Sequence, residues 1–252
     1  MLACDGLGVS VAGRPLVRDF SARFEPGQFI AVLGRNGVGK TLTLHTLAGL
    51  RPPAHGRVSL DGRELAAWPR RELARRLSLL PQSTEDPFPT TALETVLIGR
   101  HPHLGFWQWE GPEDHARADA ALAAVDLGGL GGRELDSLSG GERRRLAVAT
   151  LLAQDPAVCL LDEPTNHLDP GHQLAVLELF RARAHAGGVV LASLHDATLA
   201  ARFADRALLL HGDGSWLLGD CTQVLRPDSL SGLYGSPVAE LDYRGRRVFV
   251  GA

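Results

Sequence analysis

Four short apolar runs punctuate the chain: Phe29-Ile-Ala-Val-Leu33, Ala157-Val-Cys-Leu-Leu161, Gly188-Val-Val-Leu-Ala192 and Ala207-Leu-Leu-Leu210. None alternates with polar positions, and each is bounded by turn or charged residues. Such runs predict strands buried on both faces, as in a parallel sheet. Helical periodicity falls between them, over Thr41–Leu50, Gly141–Leu152, Gly171–His185 and Asp196–Phe203. The alternation predicts an α/β fold. Residues 2–11, 16–25 and 56–60 read instead as half-exposed antiparallel strands, the last followed by an Asp61-Gly62 turn. Residues 83–137 carry Pro87, Pro89, Pro102 and Pro112 and helical stretches at 91–99 and 112–125, which predicts a helical insertion in the core. The tail, 214–250, reads as short strand-like pieces and turns.

Composition narrows this little. The 252 residues are 44% hydrophobic and 22% charged, with net charge -3, ordinary for a globular domain. The balance argues against a nucleic-acid binder with a basic surface. No apolar run approaches the roughly 18 residues of a membrane helix. Met1–Gly8 contains Asp5 and lacks a basic segment ahead of an apolar stretch, so no signal peptide is expected. Cys4, Cys159 and Cys221 are too far apart for a zinc site or a disulfide framework, which fits a reducing compartment. Of the 26 lysines and arginines only Lys40 is lysine. A position that keeps a compact ammonium among planar forks is a candidate for special duty.

Lys40 lies in Gly34-Arg35-Asn36-Gly37-Val38-Gly39-Lys40-Thr41, a G-x-x-x-x-G-K-[ST] loop between a predicted strand and a helix. Its glycines let successive N–H groups turn toward phosphate oxygens at a helix N-terminus. Lys40 reaches the β- and γ-phosphates in such a loop, and Thr41 offers its hydroxyl to Mg²⁺. Asp162-Glu163 ends the second buried strand, where one carboxylate can hold Mg²⁺ and the next can orient or deprotonate water. His195 follows the third strand. In an open α/β sheet all three come to the carboxyl edge. Leu138-Ser139-Gly140-Gly141-Glu142, ahead of a helix, forms a second anion cradle, which one site does not need and a second copy of the chain does.

With these motifs the chain resembles the ATP-binding subunit of ATP-binding cassette (ABC) transporters. Gly34–Thr41 is similar to the Walker A loop, Gln82 to the Q-loop glutamine, Leu138–Glu142 to the signature, and Val158–Asp162 to Walker B. Glu163 falls at the catalytic glutamate, Asp169 in the D-loop, and His195 at the switch histidine. The resemblance implies a P-loop NTPase cassette: an α/β core with an antiparallel β subdomain over 1–82 and 157–252, and a helical subdomain over 83–156. It implies catalytic roles for Lys40, Gln82, Glu163 and His195, and Mg²⁺ held by Thr41, Gln82 and Asp162. It places ATP on Gly34–Thr41, Thr43, Val11 and Asp169 of one chain and on Ser139, Gly140, Gly141 and Glu142 of another, in a head-to-tail homodimer.

Gly99-Arg-His-Pro-His103, Thr165-Asn-His-Leu-Asp169 with His172-Gln173, and Leu194-His-Asp196 are similar to importers of iron chelates, haem and cobalamin. In these the ATPase is a separate chain at the cytoplasmic face of the bacterial inner membrane. It works with two membrane-spanning permease subunits and an external solute-binding protein. An iron chelate is the cargo expected first, with cobalamin and haem beside it. His101, His103, His167 and His172 are expected to be structural. Residues 83–110 are expected to face the permease, with Phe88, Phe106, Trp107 and Trp109 either meeting it or packing inside. The chain departs from the family at Val11, where an adenine-stacking aromatic is usual, and at Arg144, where glutamine is. Two of Arg143–Arg145 are expected to be a solvated helix face, with Arg145 bracing the signature helix. Rival readings are a soluble ABC ATPase, an exporter ATPase and a non-catalytic ATP-binding module.

Overall fold

The structure, a computed structural model, describes residues 1–82 and 89–252. Its centre is a six-stranded sheet ordered β10-β9-β3-β8-β7-β6, made of Phe29–Leu33 (β3), Leu77–Leu80 (β6), Val158–Leu161 (β7), Val189–Ser193 (β8), Arg206–Leu210 (β9) and Trp216–Asp220 (β10). The first five run parallel and β10 is antiparallel to β9. The four apolar runs are thus strands, but the sheet has a fifth parallel member, β6. Its sequence is short and holds Ser78, whose hydroxyl donates to Gln154 Oε1 (2.7 Å), so it lacks the unbroken apolar signal of the others.

β3 shows why these strands need no alternation. Phe29, Ala31 and Leu33 point into one apolar cluster, Ile30 and Val32 into another on the opposite face, and all are fully buried. The second cluster is closed by Lys40–Leu47 (α1) and by a four-stranded antiparallel sheet, β2-β1-β4-β5. That sheet comprises Leu2–Val11 (β1), Arg14–Phe24 (β2), His55–Leu60 (β4) and Arg63–Glu64 (β5), with the Asp61-Gly62 turn joining its last two strands. Helix α1 ends three residues short of its predicted end because Gly49 takes positive φ (69°) beyond it, a usual helix stop.

The first cluster is closed by helices. After the short Arg70–Ala74 (α2) come Ala92–Ile98 (α3), Pro112–Ala124 (α4) and Gly140–Gln154 (α5), then Pro170–His185 (α6) and Ala197–Phe203 (α7). Both helices expected within 83–137 are present. The tail is more ordered than its sequence suggested. It folds as Cys221–Val224 (α8), Pro227–Tyr234 (α9) and a hairpin, Val238–Tyr243 (β11) with Arg246–Gly251 (β12). Pro227 at the first helical turn and buried Leu230 and Leu233 were the signal for α9. Among the described residues, no helix is long and apolar enough to cross a membrane. The three cysteines are buried free thiols, and burial pushes them up to about 12 (Cys4, Cys221) and about 11 (Cys159).

The Gly99–His103 segment packs α3 onto α5. A Cβ on Gly99 would stand 2.3 Å from the Thr150 carbonyl oxygen, so only glycine allows that approach. Arg100 is buried, with Nε donating to Asp114 Oδ1 (2.9 Å) and Nη1 to the Ala153 carbonyl (2.8 Å). His103 Nε2 meets the Gln154 carbonyl at 2.8 Å. Phe88 lies outside the described residues. Phe106, Trp107 and Trp109 are 86–90% exposed, so the alternative of internal packing does not apply to them.

Candidate functional site

Three parallel strands, β3, β7 and β8, bring the glycine loop, Asp162-Glu163 and His195 to one sheet edge, as expected, and a fourth, β6, brings Gln82 to the same place. The Gly34–Thr41 loop leaves the end of β3. Gly34, Gly37 and Gly39 all have positive φ, which L side chains rarely adopt. At Gly34 a Cβ would also lie 2.6 Å from the Leu210 carbonyl oxygen. Gly39 in the left-handed region opens α1 directly at Lys40. Lys40 is 5% exposed, and its ammonium donates to the carbonyls of Gly34 (2.8 Å) and Arg35 (3.2 Å), folding back across its own loop. Burial holds it below the usual lysine range, against the attraction of Glu163 and Asp162. Thr41 is half-buried. Thr43 is fully buried with no partner for its hydroxyl.

Asp162 and Glu163 sit at the end of β7. Ser193, the last residue of β8, joins them: its hydroxyl donates to Asp162 Oδ1 (2.6 Å) and accepts from the Glu163 amide (2.8 Å). Asp162 Oδ2 is buried with no hydrogen-bond partner. A buried carboxylate oxygen left open carries a large desolvation cost, and it suits a hard cation. The donor set of Thr41, Gln82 and Asp162 is all oxygen and amide, which fits Mg²⁺.

Glu163 is held in the left-handed region, φ 49°, a conformation that costs a non-glycine residue about 1–2 kcal/mol. Such strain concentrates at functional sites. Its carboxylate gathers three partners. Gln82 Nε2 donates to Oε2 (2.8 Å), Asn166 Nδ2 donates to the same oxygen, and His195 Nε2 lies 2.7 Å from Oε1. The structure therefore brings Lys40, Gln82, Asp162, Glu163 and His195 together. Tyr234 of α9 stands behind His195, its hydroxyl 3.5 Å from that residue's carbonyl.

Ser139–Glu142 opens α5 in a capping box. Ser139 Oγ accepts from the Glu142 amide (3.3 Å) and Glu142 Oε2 accepts from the Ser139 amide (2.8 Å). These bonds hold the Glu142 carboxyl below the usual range. Among the described residues no hydrogen bond joins Ser139–Gly141 to the Gly34–Thr41 loop of the same chain. Asp169 caps α6 through the His172 amide (3.0 Å) and pairs with His172 Nδ1 (2.6 Å). Val11 ends β1, 42% exposed, opposite Arg14.

The arginine run departs from expectation. Arg144 is not solvated; it is 6% exposed and its guanidinium lies against the ends of β6 and β7. Arg145 braces as expected, donating to the Val125 (2.7 Å) and Asp126 (3.0 Å) carbonyls, and Arg143 reaches the Leu138 carbonyl (3.2 Å). Sequence reasoning missed Arg144, Asn166, Ser193 and Tyr234. Ser193 had a signal, a hydroxyl closing an apolar run. Asn166 reaches Glu163 within the local turn that follows it, and Arg144 and Tyr234 are brought in by tertiary approach.

Comparison with known proteins bears on this geometry. A family model described as ABC transporter matches residues 17–166. The hemin import ATP-binding protein HmuV of Pseudomonas entomophila is 42% identical over 243 residues, 94% of each chain. The protein of that name from Streptomyces coelicolor is 41% identical over 238 residues, 94% of this chain and 84% of its own. Among solved structures, a metal-chelate type ABC transporter in an inward-facing conformation superposes with a TM-score of 0.86 at 27% identity, covering 100% of this chain and 97% of that one. A bacterial ABC transporter cassette solved as a dimer shares the fold, with a TM-score of 0.77 at 24% identity over 88% of this chain and 99% of its own.

Proposed function

The chain belongs to the ABC transporter family, and from that premise we propose that it hydrolyses ATP to energise import of an iron-containing chelate through a separate permease. The observation that carries the reading is the Glu163 carboxylate, held in strained backbone by Gln82, Asn166 and His195 beside Lys40 and the open oxygen of Asp162. Haem is the cargo that the relatives' names favour, ahead of the siderophore expected first from sequence.

In this reading the triphosphate lies over the Gly34–Thr41 amides, and Lys40 leaves its loop carbonyls for the β- and γ-phosphates. Thr41, Asp162 and Gln82 would hold Mg²⁺, which would supply positive charge against the phosphate groups. Glu163 accepts two hydrogen bonds on Oε2, from Gln82 and Asn166, and its Oε1 lies 2.7 Å from His195 Nε2. Oε1, which faces only His195, keeps acceptor capacity for the attacking water. His195 then turns to the γ-phosphoryl group. Ser139–Gly141 of a partner chain closes the site, a reading supported by a capped helix N-terminus that, among the described residues, makes no hydrogen bond to its own glycine loop. Thr43, Val11, Glu142 and Asp169 complete the nucleotide surroundings as the family resemblance implies. Residues 1–82 and 157–252 act as the core and 83–156 as the helical part. The exposed Phe106, Trp107 and Trp109 lie in the segment assigned to the permease, at the cytoplasmic face of the membrane.

Glu163→Gln is the direct test. It should keep ATP affinity and lose about 10²–10³ of turnover; near-normal turnover removes Glu163 from the role. Hemin-stimulated ATP hydrolysis by the chain reconstituted with its permease and binding protein tests the cargo. Stimulation by a ferric siderophore and not by hemin would reassign it.

A further inference from the structure

Arg144 is a buried cation that makes no ion pair among the described residues. It meets four backbone carbonyls instead. Nη1 donates to Pro81 (2.6 Å) and Gln82 (3.3 Å), and Nη2 to Asp162 (2.5 Å) and Glu163 (2.8 Å). The carbonyls come in two pairs, one at the end of β6 and one at the end of β7, and one planar fork spans both. Two of the four belong to residues whose side chains meet each other, Gln82 and Glu163. A third belongs to Asp162. Glu163 is the residue held in the left-handed region.

Enclosing a guanidinium is costly. Here burial lowers its pKa to about 10, against the attraction of Asp162 and Glu163. Nε is left without a partner. An arrangement so expensive in desolvation persists where geometry is worth more than stability. An ammonium is a point donor and cannot reproduce the fork, and an amide side chain offers one NH₂ in place of two.

We propose that Arg144 is a positioning residue for hydrolysis: its fork fixes the Gln82 and Glu163 backbones relative to one another, so that the Glu163 carboxylate meets water at one set distance. Because Arg144 stands on the second turn of α5, it also fixes this pair relative to Ser139–Gly141. The proposal deepens the reading of Glu163 as the residue that activates water and rests on it.

The test is steady-state turnover of Mg-ATP by the full chain as Arg144→Lys, Arg144→Gln and Arg144→Met, with ADP affinity and thermal midpoint measured alongside. Misplacing a reacting group by about 1 Å costs about 10²-fold. We expect kcat to fall by about that factor for lysine and methionine, with KM and ADP affinity within about twofold. Glutamine, which keeps a single amide donor pair, should fall between these and the parent. Parental kcat in all three variants overturns the proposal. So does a loss of ADP affinity and of kcat in parallel with the thermal midpoint, which marks a role in folding alone; Arg144→Gln, the residue usual at this position, serves as the folded variant for that comparison. Glu163→Gln in the same assay tells the two failures apart. If it retains turnover, the assignment of Glu163 falls and the proposal with it. If it abolishes turnover while Arg144→Lys matches the parent, only the positioning role is lost.

Discussion

At the scale of single residues the convergence of the candidate side chains was largely legible. Lys40, Asp162, Glu163 and His195 carry side chains whose spacing relative to apolar runs places them at one sheet edge, and Gln82 came with the family pattern. Arg144 was not legible, because a buried and a solvated arginine look alike within Arg143–Arg145. Only the approach of β6 and β7 to α5 distinguishes them. Val11 supports a prediction of its own. Where the family stacks an aromatic ring on adenine, this chain offers an exposed valine. Stacking on an aromatic side chain contributes about 1–3 kcal/mol per base. ATP and GTP should therefore bind the parent chain with similar Kd. Val11→Tyr should tighten ATP binding by about tenfold or more, as read by fluorescence titration. An unchanged Kd would place the base elsewhere.

At the scale of elements, segments with a clear apolar or helical pattern were read correctly, the short strands β3, β7, β8 and β9 among them, and β6 and α9 were not. β6 is four residues with a serine inside, and α9 is eight residues in a tail rich in turns. Helix α4 shows what holds a subdomain element in place. Asp114 caps it through the Gly111 amide (3.0 Å) and is paired with buried Arg100, which in turn anchors α5 at Ala153. The hydrogen bond from Arg100, followed by that from Gly111, holds the Asp114 carboxyl below the usual range. A depressed carboxylate adds stability that is fully present above its unfolded pKa of about 4 and is lost as pH falls through the lower folded value. Arg100→Met should cost about 3–5 kcal/mol, because Asp114 stays buried and unpaired. Asp114→Asn should flatten the part of the acid-unfolding profile below about pH 4. Denaturant midpoints across pH check both; a profile identical to the parent's would show that the pair contributes nothing.

At the scale of the whole molecule, one sheet with an apolar cluster on each face explains why the core strands show no alternation, and why strand order could not be read from them. The capped α5 N-terminus, remote in bonding from its own glycine loop, predicts association. Glu163→Gln with ATP should sediment at twice the mass of the chain and return to monomer when ADP replaces ATP. A monomer under both conditions would exclude the head-to-tail arrangement. The solitary lysine has a further consequence. A lysine-selective protease has one bond to cut, after residue 40, and that bond lies in the first turn of α1 behind the Gly34 and Arg35 carbonyls. Cleavage must wait for this corner of the fold to open. The chain thus carries its own clock for site opening, read as one band becoming two. ATP at about 100 times its Kd should slow that clock by about 100-fold; an unaltered rate would mean that nucleotide does not rest on this loop.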